Sequence, residues 1–160
     1  MPRIGTVTLR VKDLDRQLEF YQNILGMQIH RQEDDLTYLG TGDTDLLILK
    51  HTPNNIRRKG HNGLFHIAYL LPNRKELARF VYHLANKDVR LGMGDHSVSE
   101  AIYLDDVEGN GIEIYADRPR NAWERQNGQI AMSSTAIDVD NLMQELNGEQ
   151  PSDVLSLIHI

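Results

Sequence analysis

The sequence predicts an α+β protein made of two tandem βαβββ modules that form a cup-shaped mixed sheet. Three observations predict it. A strand, an amphipathic helix and three more strand-like runs follow one another, and the same order returns about sixty residues later. Equivalent positions keep their character at that offset, where Asp13 meets Asn73, Phe20 meets Phe80 and Thr6 meets His66. A lone curved sheet with a single helix also leaves its concave face open, so two units have a physical reason to close on each other around a common buried cup.

Residues 5–13 form a β-rich run ending in a polar turn. Leu14, Leu18, Tyr21 and Leu25 then recur at helical spacing, and Gly26 supplies the stop. Strands are expected at 27–31, 36–39 and 45–50, with Gly40 and Gly42 in the last turn. In the second copy, 65–71 reads as the strand, Pro72 and Asn73 as the turn, and 74–86 as a helix burying Leu77, Phe80, Val81 and Leu84. Strands at 89–92, 99–104 and 111–115 complete it, with Asn110 and Gly111 as a hairpin dipeptide. Leu47 to Pro53 matches Glu113 to Pro119, each final strand running into a proline. The paired domain is expected to cover 1–120, with module one at 4–53 and module two at 62–119. Residues 121–160 read as a C-terminal tail or linker in which Ile137, Leu142, Met143 and Leu146 are apolar.

The chain has 160 residues, 40% hydrophobic and 25% charged, as in an ordinary globular domain. No apolar run is long enough to span a bilayer, so no membrane partner and a cytoplasmic location are expected. A net charge of −6 argues against nucleic acid as a partner. Arg57, Arg58 and Lys59 form the only basic cluster, and it reads as a solvated linker. Cysteine is absent, leaving His, Asp and Glu as the available metal ligands.

The chemically informative stretch is 94–113, which holds His96, then Tyr103, then Glu113. Tyr103 and Glu113 fall on neighbouring antiparallel strands, whose pairing can bring both side chains to one face. Each has a plainer reading: Glu113 as a solvent-facing residue between Ile112 and Ile114, His96 as a surface loop histidine, Tyr103 as an ordinary strand aromatic. His30, His51, His61 and His83 match nothing and are expected to be exposed. Asp105, Asp106 and Glu108 read as turn residues.

Gly94, His96, Ile102, Tyr103, Asp106, Gly109 and Glu113 fall at the spacings of the active-site motif of extradiol ring-cleavage dioxygenases. These enzymes belong to the vicinal-oxygen-chelate superfamily (glyoxalase, bleomycin resistance protein, dihydroxybiphenyl dioxygenase fold). Val107 departs from the motif's proline. The runs 63–68 and 117–119 also resemble the catechol-2,3-dioxygenase-like subgroup, and the likeness extends to about Ile137. The resemblance implies His66 and Glu113 as metal ligands, with Fe(II) the expected metal and Mn(II) or another divalent ion as the alternative. It implies His96 as an acid–base residue and Tyr103 as a hydrogen-bond donor to substrate or oxygen. The implied activity is extradiol cleavage of a small catechol-like aromatic diol by dioxygen. A glyoxalase-like metalloenzyme and a metal-free small-molecule-binding domain remain as other readings.

One expected ligand is missing. Thr6 occupies the position of the histidine that the motif family carries on the preceding module, and Leu47 stands where module one would hold a carboxylate. Members of the subgroup continue into a second module pair, so this chain reads as the N-terminal half of a longer protein. It is expected either to form a homo-oligomer or to pack against that missing pair. The last six residues, Leu155, Ser156, Leu157, Ile158, His159 and Ile160, fit either a following strand or the translation of a common sequencing adapter.

Overall fold

A computed structural model of the chain describes residues 5–54, 63–85, 87 and 89–149. The basic cluster at 57–59, His61 and the final six residues lie outside them. Module one contains β1 (Val7–Val11), α1 (Leu14–Asn23), β2 (Gln28–Glu33), β3 (Leu36–Thr41) and β4 (Thr44–His51). Module two repeats the order with β5 (His66–Leu70), α2 (Arg74–Ala85), β6 (Leu91–Asp95), β7 (Ser99–Asp105) and β8 (Gly111–Asp117). Each module is a four-stranded sheet, ordered β1-β4-β3-β2 and β5-β8-β7-β6. The first and last strands of each run parallel and the other pairs antiparallel. The two βαβββ modules expected from the sequence are therefore present, as two separately hydrogen-bonded sheets.

Local chemistry explains why the helices start alike. Asp13 and Asn73, the repeat-equivalent pair, each accept a bond from the backbone N–H three residues on, at Arg16 (3.2 Å) and Glu76 (3.0 Å). Both are N-cap contacts that satisfy a helix-terminal donor. Gly26 ends α1 in the left-handed region at φ 68°.

Burial lies on the helix side of both sheets. Leu9, Val11, Leu47 and Leu49 join Ile67, Tyr69, Ile112 and Ile114 in one cluster with Phe20, Tyr21, Phe80 and Leu84 of the helices. Each such side chain contributes about 1.5–3 kcal/mol of burial. Strand alternation sends the intervening residues the other way, and Thr8, Arg10, Ala68 and Leu70 are exposed. The apolar core is the helix-packed layer, and the opposite face of the second sheet carries the half-buried Tyr103 and Glu113.

The modules are joined by polar contacts at one end. Glu108 accepts from the backbone N–H groups of Lys12 (2.7 Å) and Asp13 (2.9 Å), and the Tyr21 hydroxyl donates to buried Asp106 (3.1 Å). Asp106 also accepts from the backbone of Glu108 and Asn110, so it organises the β7–β8 loop. That loop is not the two-residue hairpin expected at Asn110 and Gly111. The left-handed residue is Gly109 (φ 76°), whereas Gly111 begins β8. A Cβ on Gly111 would lie 2.5 Å from the Phe65 carbonyl oxygen, so glycine is needed there for close strand approach.

The segment after Pro119 packs on module two. Ile137, Leu142 and Leu146 are buried, the last two in α3 (Val139–Met143) and the 3₁₀ turn after it (Gln144–Leu146). Arg74 reaches Glu145 (3.0 Å) across that contact. Two histidines also depart from expectation. His30 is part-buried against Asp45 (2.7 Å), and His83 is part-buried with its ring nitrogen 3.1 Å from the Asn23 carbonyl. His30 of β2 reaches over Gly40 of β3 to Asp45 of β4, and His83 of α2 meets the last residue of α1; His51 is exposed as expected.

Candidate metal and acid–base site

Strand register brings the chemistry-bearing residues together. In the parallel β5–β8 pair His66 lies opposite Gly111 and Ala68 opposite Glu113. In the antiparallel β7–β8 pair Tyr103 lies directly opposite Glu113. Ile112 and Ile114 are buried in the core, so alternation turns Glu113 to the open face. Gly92 lies opposite Tyr103 on β6, and Gly94, two residues on, leaves room beside the phenol, where a Cβ would come within 3.5 Å of Tyr103 Cε2.

The result is a continuous hydrogen-bonded chain. His66 Nε2 lies 2.8 Å from Glu113 Oε2. The Tyr103 hydroxyl donates to Glu113 Oε1 (3.0 Å) and lies 2.7 Å from His96 Nε2. His96 Nδ1 is 3.1 Å from the Ser133 carbonyl oxygen. The His66 and Glu113 side chains keep 29% and 15% exposure, so both are partly desolvated yet reachable. Burial, reinforced by the Glu113 carboxylate, pushes the Tyr103 phenol up to about 12, so at neutral pH it keeps its proton.

All four residues singled out in the sequence thus lie on one side of the second sheet. His66 and Glu113 converge as a nitrogen and an oxygen donor, a pair that suits a borderline divalent metal. They fill two protein positions only: among the described residues no cluster of three or more His, Asp or Glu side chains is placed to hold a metal. Thr6 is exposed and its hydroxyl donates to the Asp45 carbonyl (3.2 Å).

One detail of the repeat is corrected by register. Thr8 pairs with Ile48 as Ala68 pairs with Glu113, so the module-one counterpart of Glu113 is Ile48, not Leu47. Leu47 is fully buried in the core; counting from the terminal prolines shifted the match by one residue, which reverses the face. Tyr38, opposite Ile48, is the counterpart of Tyr103, and the Arg31 guanidinium stacks 3.5 Å over its ring. Module one keeps the architecture without the ligands.

A cleft of about 1080 Å³ opens beside the pair. His66 and Tyr103 line it together with Phe65, Leu91, Phe20 of α1 and Ile24 just after it. Phe65 is 87% exposed, its ring centroid 4.8 Å from that of His66. Sequence reasoning missed this wall because it joins the two modules. It also missed Ser133, whose contribution is a backbone carbonyl and leaves no residue-type signal.

Comparison with known proteins places the arrangement. The sequence profile of the glyoxalase/bleomycin resistance protein/dioxygenase superfamily matches residues 3–114. The chain belongs to that superfamily. It is 40% identical to a catechol-2,3-dioxygenase of Bacillus subtilis over 98% of this chain and 58% of the relative, so it spans little more than half of that protein's length. It is 33% identical to a lactoylglutathione lyase of Neisseria meningitidis over 70% of this chain and 88% of the relative. Among solved structures, a glyoxalase/dioxygenase from Nostoc punctiforme superposes with a TM-score of 0.62 at 19% identity, covering 73% of this chain and 92% of its own. A lactoylglutathione lyase from Agrobacterium tumefaciens gives 0.57 at 20% identity, over 71% and 92%. At those identities the superfamily's structures bear out the fold alone. Among the described residues no helix is long and apolar enough to cross a membrane.

Proposed function

We propose that the chain is the metal-bearing part of an extradiol dioxygenase acting on a catechol-like aromatic diol, with His66 and Glu113 as its metal ligands. The observation that carries the reading is the 2.8 Å convergence of His66 Nε2 and Glu113 Oε2, with Tyr103 and His96 in series behind them. The similarity to a catechol-2,3-dioxygenase supports the reaction class. A bound Fe(II), or Mn(II), would supply open positions for a chelating diol and for dioxygen. The third protein position falls to a group from outside these two modules, contributed by a second copy or a further module pair.

The chain's own residues then have distinct tasks. His66 and Glu113 must give up their mutual contact to hold the metal. Tyr103, protonated at neutral pH, donates a hydrogen bond into the site. His96, its Nε2 2.7 Å from the Tyr103 hydroxyl, is the imidazole placed to take a proton from the diol and return it. Phe65, Phe20 and Ile24 give the cleft apolar surface against which an aromatic ring can lie.

Anaerobic titration with Fe(II), followed by desalting and metal analysis, tests the ligand pair, and oxygen uptake with catechol tests the reaction. Wild type is expected to retain metal, and His66→Ala or Glu113→Gln to lose it with little change in Tm. Equal retention by His66→Ala and wild type would remove the assignment. The similarity to lactoylglutathione lyases supports a second reading, a metal-dependent reaction forming lactoylglutathione; assaying the same metal-loaded protein for that product separates the two.

A further inference from the structure

We infer that residues 131–135, in the segment beyond the two modules, form a strap that positions His96, fixing its tautomer and aiming Nε2 at the Tyr103 hydroxyl. The inference rests on the acid–base reading of His96 but concerns a different part of the chain.

The strap is paired to the β6–β7 corner by reciprocal bonds. Asp95 N–H donates to the Thr135 carbonyl (2.9 Å) and Thr135 N–H to the Asp95 carbonyl (3.0 Å). Ser133 N–H donates to the His96 carbonyl (3.4 Å), and the Ser97 and Ser133 hydroxyls are 2.6 Å apart. The corner is stiff in its own right. Ser97 holds φ 67°, its N–H donates to Asp95 Oδ1, and Arg118 grips both Asp95 oxygens at 2.6 and 2.9 Å. The strap is anchored on both sides, upstream by Trp123 Nε1 donating to the Arg118 carbonyl (2.8 Å) and downstream by buried Ile137 and Leu142.

Proton bookkeeping gives this packing a chemical consequence. The Ser133 carbonyl can only accept, so the 3.1 Å contact requires the proton of a neutral His96 ring to sit on Nδ1. Nε2 is then a lone pair, and it is the atom 2.7 Å from Tyr103. The single Tyr103 proton can serve either that lone pair or Glu113, so the strap decides whether His96 competes for it as a base. A solvated imidazole prefers the opposite tautomer, with Nε2 carrying the proton and unable to accept. Ser133 is therefore a positioning residue that acts through His96.

Two-bond ¹H–¹⁵N correlation of the histidine side chains in the full chain, near pH 8, tests this without any added metal. Wild-type His96 is expected as the Nδ1–H tautomer. Thr135→Pro, which removes the N–H to Asp95, should shift it toward Nε2–H, and the milder Ser97→Ala/Ser133→Ala pair should shift it part of the way. Val81→Ala, which loosens the α2 core away from the strap, should lower Tm and leave the tautomer alone. Wild-type His96 found as Nε2–H would overturn the inference, and so would an unchanged tautomer in folded Thr135→Pro. Because no metal or diol is involved, loss of the dioxygenase reading would not produce either result.

Discussion

Arg74→Met gives the sharpest test of how α2 is held against β7. Arg74 grips Glu100 through Nε (2.5 Å) and Nη2 (3.0 Å), and the Glu100 side chain is only 3% exposed. Breaking a buried pair from one side leaves an uncompensated carboxylate, which costs about 3–5 kcal/mol. Arg118 stays 3.5 Å from Glu100 and offsets part of that, so the low end, about 3 kcal/mol, applies. The bond to half-exposed Glu145 adds little, as surface pairs do. For a chain of this size about 3 kcal/mol corresponds to a Tm drop of roughly 6–12 °C. Circular-dichroism melts and urea titrations would read it. Arg74→Met/Glu100→Met, which replaces the pair by apolar groups of similar volume, should recover most of the loss. A drop below about 2 °C in the single variant, or a double variant worse than the single, would show that Glu100 is not sustained by Arg74 and refute the reasoning.

Two further outcomes follow from named contacts. A Cβ at Gly94 would meet His96 Nε2 at 3.2 Å and Tyr103 Cε2 at 3.5 Å, so Gly94→Ala should displace the His96–Tyr103 contact and lower turnover while costing little stability; Gly111→Ala, at 2.5 Å from the Phe65 backbone oxygen, should do the reverse, lowering Tm clearly. Paired kinetic and thermal measurements would distinguish them. Burial holds the His83 pKa below its ordinary value, so the unfolded chain takes up a proton first as pH falls through about 6.5. Stability should therefore decline on acidification across that window, and less steeply in His83→Gln. An identical pH slope in urea titrations of the two proteins would contradict the assignment.

Much of this could be read from the chain because it is encoded by short-range pattern. Period-two and period-3.6 alternation marked the ten elements of the repeat, and Asp13 and Asn73 mark the helix starts in chemistry as well as in position. His66, Tyr103 and Glu113 stand on strands whose pairing follows from the β7–β8 loop and the parallel crossover, so their shared face was accessible from order alone. Register was less secure. Matching Glu113 to Leu47 by the terminal prolines was off by one, which on a strand turns a core leucine into a would-be ligand position.

The amino-acid sequence by itself determined the module repeat, the helix caps, the alternation that turns Glu113 away from the core between two buried isoleucines, and the absence of a ligand at Thr6. The tertiary structure alone decided which carbonyl meets His96, which side of each sheet becomes the core, and that Phe20 of one module forms a wall beside His66 of the other. The physical reason is locality. Alternation and capping act between neighbours in the chain and leave a residue-type signature. A backbone carbonyl 37 residues away is chemically the same at every position, and only folding gives it an address.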